Sequence, residues 1–204
     1  MKLSVAPLTP DRWLDLEAIF NAKGCSVARG CWCMYYRLSG KENSRDKRKA
    51  RLKRLARADP PAGLIGYRDR MPVGWISLGP REDFAKLERS PVMKAVDAQR
   101  VWSIVCFVVP AEFRGQGVAA ALLQGAIAYA RKRGVAILEA YPVDKARRSP
   151  DDFMWFGAKS MYDAAGFEEV ARRRPARPVV RLRLGRAGRA LVNAAAAGWD
   201  SDDA

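Results

Sequence analysis

The sequence contains no histidine among its 204 residues. Histidine is the usual general base near neutral pH, and a Ser-His-Asp triad cannot work without it. Catalytic schemes that need an imidazole are therefore excluded, as are zinc sites with histidine ligands.

Long apolar runs are also missing. No stretch approaches the ~20 apolar residues that cross a bilayer. Residues 1–20 contain prolines and acidic side chains where a signal peptide would have a continuous apolar core. We therefore expect a cytoplasmic protein without a membrane partner.

Cysteine is scarce, with four in the chain, which does not indicate a disulfide scaffold. Cys25, Cys31 and Cys33 are close enough in sequence to suggest a metal site. A fourth ligand is missing, however, because Cys106 lies in an apolar run. We expect no metal, and we expect these thiols to pack in the core or line a pocket.

Basic residues, by contrast, are abundant. There are 37 Lys and Arg against 22 Asp and Glu, a formal net charge of +15. This balance favours anionic partners such as nucleic acid or a phosphorylated small molecule. Residues 45–57 hold eight of the basic residues and one acid. They form either a solvated basic helix face or a nucleic-acid surface.

The chain length and its 49% hydrophobic content indicate one domain, residues 1–184, followed by a loosely helical or disordered tail, residues 185–204. Apolar periodicity predicts strands over 2–9, 62–69, 72–79, 101–110, 136–143, 167–173 and 178–184, and helices over 13–20, 45–58, 117–133 and 158–166. Residues 22–42 show no sustained period and are expected to be mostly irregular. The order strand, helix, strand from 101 to 143 predicts a right-handed parallel crossover.

The stretch EFRGQGVAA, residues 112–120, joins an apolar strand to an alanine-rich helix. Glycines before a helix N-terminus let an anion approach unpaired backbone N–H groups, and Arg114 adds positive charge. The pattern therefore indicates a phosphate site. The alternative is a plain tight turn with a solvated arginine.

One candidate ligand is a dinucleotide, because GQGVAA fits G-x-G-x-x-G/A and Glu139 ends the next strand where a ribose-binding acid would stand. Two features oppose it. Five residues, 110–114, separate the strand from the first glycine, and only about 70 residues follow Gly134, too few for the rest of such a fold.

The same stretch resembles the acetyl-CoA signature of the GNAT acyltransferase superfamily, R/Q-x-x-G-x-G/A, with Arg114, Gly117 and Ala119 in the pattern positions. MYDAAGF, residues 161–167, resembles the Y-x-x-x-G-F segment of that family. The order of elements is also similar, so the resemblance extends over residues 2–184.

The resemblance implies an α+β fold with three αβα layers and a mixed, mostly antiparallel sheet around the central parallel crossover. It also implies acetyl-CoA, or another acyl-CoA, as the donor. The pantetheine arm would pair with Phe107, Val108 and Val109. The pyrophosphate would lie on the backbone amides of Gly115, Gln116, Gly117, Val118, Ala119 and Ala120, beside Arg114.

Acyl transfer to an amine needs a base for the amine and an acid for the departing thiolate. Tyr162 matches the tyrosine that serves as the acid in the family; its alternative role is packing. Glu139 matches a glutamate that acts as the base in some members; its alternative role is an ion pair with an arginine. Tyr141 and Glu82 are weaker candidates. Three aromatic residues of the loop before Tyr162 could line an acceptor pocket or belong to the core: Phe153, Trp155 and Phe156.

We therefore expect an N-acetyltransferase that acts on a primary amine, in a protein that could form a homodimer. The sequence contains no readable acceptor motif. A basic nucleic-acid-binding protein without catalysis and a nicotinamide-dinucleotide-binding domain are the alternatives.

Overall fold

The computed structural model of the protein describes residues 3–38, 44–145 and 154–185. The expected tail after Gly185 and the loop residue Phe153 lie outside these ranges. The helices and strands are, in chain order, β1 (Leu3–Pro7), α1 (Trp13–Asn21), α2 (Ser26–Cys31), α3 (Arg45–Leu55), β2 (Gly63–Arg68), β3 (Met71–Pro80), α4 (Ala85–Glu88), β4 (Trp102–Val108), α5 (Val118–Lys132), β5 (Ile137–Ala140), α6 (Lys159–Ala164), β6 (Glu168–Arg174) and β7 (Arg177–Arg183).

All seven described strands form one sheet in the order β1-β2-β3-β4-β5-β7-β6. The β4–β5 pair is parallel, and each of the other neighbouring pairs is antiparallel. Helix α5 connects the two parallel strands. The mixed, mostly antiparallel sheet with a central crossover is confirmed.

Helices cover both faces of the sheet, because successive residues of a strand point to opposite sides. On one face, Leu64 and Ile76 belong to the core that contains the buried side of α5 and Tyr162 of α6. On the other face, Ile65 and Trp75 belong to the core that α1, α2 and α3 cover. The protein therefore has the three expected layers.

Strand β4 changes partners halfway along its length. Its first part pairs with β5 at only three positions, 102–104. A register shift against β3 then leaves Val105 as an extra residue, a β-bulge, and β4 continues to Val108 without β5 beside it. Bulges of this kind bend a strand and often lie next to functional sites.

Residues 22–42 were expected to be mostly irregular, and the structure adds one short helix there, α2. This helix has six residues, and no side chain caps its N-terminus, so its sequence carries no start signal. Its stability therefore depends on contacts with the neighbouring helices α1 and α3. The Nη1 atom of Arg48 on α3 donates a hydrogen bond to the carbonyl oxygen of Gly30 at 2.8 Å.

The longest described helix is α5, with 15 residues. Within the described ranges, no helix combines the length and apolar character needed to cross a membrane.

Gly125 lets α5 approach β1 closely, which generates a stability prediction. A Cβ atom at Gly125 would lie 2.5 to 2.8 Å from three side-chain atoms of Val5. We expect Gly125→Ala to lower the free energy of unfolding by about 1–3 kcal/mol, because this overlap outweighs the higher helix propensity of alanine. Urea unfolding measures the change.

The control is Gly30→Ala on α2, where an added Cβ meets no described atom within 4 Å. It should leave stability unchanged or raise it by up to about 1 kcal/mol. Val5→Ala in the Gly125→Ala background should restore part of the loss. Equal stability of the two single variants would contradict the close approach of α5 to β1.

Candidate active site

A cavity of about 740 Å³ lies along the half of β4 that has no β5 neighbour. Four parts of the chain line it: β4 itself, the turn into α5, the α1–α2 region, and residues 154–161. The cavity therefore lies where the two parallel strands separate.

The turn into α5 has the geometry of an anion site. Gly115 and Gly117 have positive φ angles of 71° and 76°, a conformation that favours glycine. A Cβ on either residue would meet no described atom within 4 Å. No side chain caps α5 at Gly117, so the first backbone N–H groups of the helix stay available to a ligand.

The structure brings nine of the ten residues expected at the donor site to the cavity wall. They are Phe107, Val108, Val109, Arg114, Gly115, Gly117, Val118, Ala119 and Ala120. The side chain of Gln116 is used elsewhere. It donates to the Glu112 carbonyl at 2.6 Å and accepts from Nη1 of Arg68 at 2.8 Å, so it fastens the turn to β2.

Arg114 connects two walls of the cavity. Its Nε donates to the Val109 carbonyl at 3.0 Å and its Nη2 donates to the Gly24 carbonyl at 2.5 Å. Gly24 has a φ of +79°, and a Cβ there would lie 2.9 Å from the Cβ of Ala111. Arg114 therefore holds the end of β4 against the α1–α2 loop, a structural role that the sequence does not reveal.

The backbone edge of β4 is partly occupied. The N–H of Phe107 donates to the Trp155 carbonyl at 2.6 Å. A ligand that pairs with this N–H must replace the Trp155 carbonyl. The Trp155 side chain lines the cavity, whereas Phe156 is buried in the core beside Val105.

Tyr162 is fully buried just behind the cavity wall. Its hydroxyl donates to the Phe156 carbonyl at 2.9 Å, and its ring packs edge-on against Phe167 with the centroids 5.1 Å apart. The neighbouring Gly157 and Met161 line the cavity. Burial raises the pKa of the Tyr162 phenol far above its ordinary value, so the hydroxyl keeps its proton.

Glu139 is fully buried, is absent from the cavity wall, and has three hydrogen-bond donors. Its Oε1 accepts from the Tyr141 hydroxyl at 2.7 Å and from Nη1 of Arg81 at 3.0 Å. Its Oε2 accepts from Nε of Arg181 at 2.8 Å. This arrangement favours the ion-pair alternative, and the role of Glu139 as a base stays a prediction.

The two weaker candidates also lie outside the cavity wall. Tyr141 is buried, and burial together with the charge of Glu139 raises the pKa of its phenol well above the ordinary value, which opposes a role as a base. Glu82 is exposed in the short turn after β3.

Two arginines of this network were not identified from the sequence. Arg181 is buried, and it also pairs with both carboxylate oxygens of Asp97, at 2.6 and 3.1 Å. Arg81 also pairs with Glu88 at 2.8 Å. The local sequence hints at such a network only through Glu139, an acidic residue at the centre of an apolar strand that needs buried partners.

All four cysteines line the cavity. Lining a pocket was one of the two roles expected for Cys25, Cys31 and Cys33. Burial raises the pKa of Cys31 to about 11. The pKa of Cys33 is raised well above its ordinary value, mainly by a hydrogen bond to Cys106 and secondly by burial. These two thiols therefore stay neutral near pH 7. Among residues 3–38, 44–145 and 154–185, no group of three or more Cys, Asp or Glu is placed to hold a metal.

The turn that carries Cys33 has an uncommon backbone. Trp32 and Cys33 have positive φ angles of 48° and 46°, which non-glycine residues adopt rarely. Stacking holds the turn in place, because the Trp32 ring stacks with the rings of Trp13 and Phe20, with centroids 5.8 and 4.9 Å away.

The basic helix α3 uses several of its charges within the protein. Lys49 pairs with Glu17 at 2.7 Å and lies over the Trp32 ring, and Lys53 lies over the Trp13 ring. The structure therefore gives part of the basic segment a packing role.

Comparison with known proteins agrees with this geometry. The model of the acetyltransferase (GNAT) family matches residues 29–149. The chain belongs to this family. The match includes the glycine turn into α5 and Glu139, and it ends before Tyr162. Among curated proteins, none is similar to this sequence.

Solved structures show the same fold. PaiA N-acetyltransferase from Thermoplasma acidophilum, in complex with coenzyme A, is 16% identical with a TM-score of 0.50, over 90% of this chain and 99% of its own. The ribosomal-protein-S18-alanine N-acetyltransferase of Escherichia coli is 15% identical with a TM-score of 0.51, and the alignment covers 93% of this chain and 99% of that one. The polyamine N-acetyltransferase of Drosophila melanogaster is 10% identical with a TM-score of 0.55, and the alignment covers 89% of this chain and 100% of that one.

The Glu139 network generates a second prediction. Glu139→Ala leaves two buried guanidinium groups without their shared carboxylate, so we expect it to lower the free energy of unfolding by about 3–5 kcal/mol. Denaturant unfolding measures the loss. The control, Glu82→Ala, removes an exposed carboxylate and should change stability by less than about 0.5 kcal/mol. A Glu139→Ala variant of normal stability that had lost activity would instead support Glu139 as the base.

Proposed function

We propose that the protein transfers an acetyl group from acetyl-CoA directly to a primary amine. The observation that carries this proposal is the glycine turn at the N-terminus of α5, which opens into the cavity beside the half of β4 that does not pair with β5. A phosphate-bearing donor with a long flexible arm fits such a site, because the turn binds its charge and the strand edge guides its arm.

The residues present fit acetyl-CoA. Residues 115–120 offer backbone N–H groups with no side chain at the two glycines, so a pyrophosphate can come close. Residues 107–109 offer a strand edge for the pantetheine arm. When it is bound, acetyl-CoA supplies an activated thioester carbonyl.

The chain must supply a proton to the departing thiolate, and Tyr162 is the proposed acid. Its hydroxyl is protonated and lies behind Gly157 and Met161, which line the cavity. In this structure the Tyr162 hydroxyl donates its hydrogen bond to the Phe156 carbonyl. We propose that the hydroxyl turns from this carbonyl toward the cavity during the reaction.

Neither alternative function gains support. A dinucleotide-binding fold requires a parallel sheet, whereas this sheet has one parallel pair among six. Nucleic-acid binding rests on the basic composition, and no specific observation in the structure favours it.

The donor site generates the third prediction. We expect the wild type to bind acetyl-CoA with micromolar affinity, and we expect Gly117→Trp to abolish this binding, because its indole would occupy the place of the phosphates. Isothermal titration calorimetry measures this, with NADH titrated in parallel.

Gly134→Trp is the matched control. Gly134 follows the other end of α5, also has a positive φ, 71°, and also has no described atom within 4 Å of an added Cβ. Its variant should bind acetyl-CoA like the wild type. Failure of the wild type to bind acetyl-CoA would overturn the proposed function, and binding of NADH instead would revive the dinucleotide alternative.

The proposed acid generates the fourth prediction. Tyr162→Phe keeps the ring contacts with Phe107 and Phe167 but removes the hydroxyl, so we expect kcat to fall about 100-fold with the affinity for acetyl-CoA unchanged. Steady-state kinetics of CoA release measures both. Tyr129→Phe, on α5 and outside the cavity wall, should keep the wild-type kcat. An unchanged kcat in Tyr162→Phe would assign Tyr162 to packing alone.

A further inference from the structure

We infer that the acceptor amine is carried on an uncharged apolar or aromatic body, and that polyamines and other acceptors with a second positive charge are poor substrates. The inference rests on the proposed function, because it concerns the part of the same cavity that the donor leaves open. It depends on the shape and charge of the wall formed by α2 and the turn after it.

This wall stands across the sheet from α5. The donor turn belongs to the face that α5 covers, whereas α2 packs on the opposite face. Six residues of α2 and the following turn line the cavity there: Val27, Ala28, Cys31, Cys33, Tyr35 and Tyr36. We call these residues the acceptor wall. All six have apolar, thiol or aromatic side chains.

The acceptor wall carries no negative charge at neutral pH. Its two thiols are protonated, and burial raises the pKa of Tyr36 to about 12, so that phenol is neutral as well. Among the described residues that line the whole cavity, there is no aspartate or glutamate. A second ammonium group on the acceptor would therefore lose its water without gaining a counter-charge.

One positive charge lies in the cavity wall and a second lies beside a residue of that wall, Tyr35. Arg114 lines the cavity, and Nζ of Lys86 lies 3.6 Å from the centre of the Tyr35 ring. A second cation on the acceptor would be repelled by both. An aliphatic or aromatic body is not repelled, and it gains by leaving water.

The entrance to the acceptor wall is also apolar. Val27 and Tyr35 are 52% and 53% exposed, and both are large apolar side chains at the edge of the cavity. Exposed apolar residues that border a cavity are typical of a binding surface. Tyr36 is fixed behind them, because its hydroxyl accepts from the Trp155 side chain and its ring packs against Phe156 at 5.6 Å. The rings offer edge-to-face contacts to an aromatic acceptor.

A pair of acceptors of equal length tests the inference. n-Hexylamine and 1,5-diaminopentane differ only in a terminal methyl group or a terminal ammonium. We expect kcat/KM for acetylation of n-hexylamine to exceed that of 1,5-diaminopentane by at least about tenfold, and 2-phenylethylamine to resemble n-hexylamine. Chromatography of the acetylated products measures the rates.

A variant should change this preference. Val27→Asp puts a carboxylate at the edge of the acceptor wall, in the first turn of α2, where a negative charge suits the helix. It should raise the ratio of kcat/KM for 1,5-diaminopentane over n-hexylamine about tenfold. Leu14→Asp is the matched control, because Leu14 is 72% exposed in the first turn of α1 and does not line the cavity. It should keep the wild-type ratio.

Binding without turnover gives a second readout. Calorimetric titration of each amine into the protein saturated with CoA should show n-hexylamine binding more tightly, with the order reduced or reversed in Val27→Asp. Preference of the wild type for 1,5-diaminopentane, the same ratio in Val27→Asp and Leu14→Asp, or no reaction with any of the three amines would overturn the inference. In these cases binding of acetyl-CoA keeps the proposed function intact, whereas failure to bind acetyl-CoA removes both.

Discussion

The parting of β4 from β5 after three paired positions is the constraint on which the rest of the site depends. The buried network around Glu139 lies at the paired part of the strands. Ser103 of β4 and Glu139 of β5 are register partners, and the Tyr141 hydroxyl contacts both side chains. Arg181 joins β7 to the same carboxylate. This network fastens the three strands where they meet, and the bulge at Val105 turns β4 away just beyond it, which leaves room for the cavity.

Polar groups therefore divide the molecule into a part that is held closed and a part that is open to ligands. The Glu139 carboxylate accepts hydrogen bonds from three donors, so it stabilises the closed part. The first N–H groups of α5 have no capping side chain, and they face the open part. Part of the large positive charge of the chain also serves packing. Three basic side chains of α3 contact the α1–α2 layer: Arg48, Lys49 and Lys53.

Much of the fold and of the donor site could be predicted from local sequence. The apolar run that ends at Val109, the glycines at 115 and 117 and the alanine-rich helix after them form a strand, a turn and a helix that follow one another directly. Each depends on residues close in the chain, so periodicity and glycine placement were sufficient. Family resemblance added the donor and the role expected of Tyr162. Helix α2 was missed, because six residues without a cap carry too weak a local signal.

By itself, the sequence determined the elements of the sheet, the crossover and the glycine turn before α5, because backbone preferences and apolar periodicity act over a few residues. Only the tertiary structure decided what Glu139 contacts. Its arginine partners lie 58 and 42 residues away in the chain and reach it because β5 lies between β4 and β7. The tertiary structure likewise decided that Cys33 and Cys106 meet in one cavity and that the cavity wall formed by α2 and the turn after it consists of apolar, thiol and aromatic side chains. Burial and charge pairing depend on which strands are neighbours, and no local pattern encodes that order.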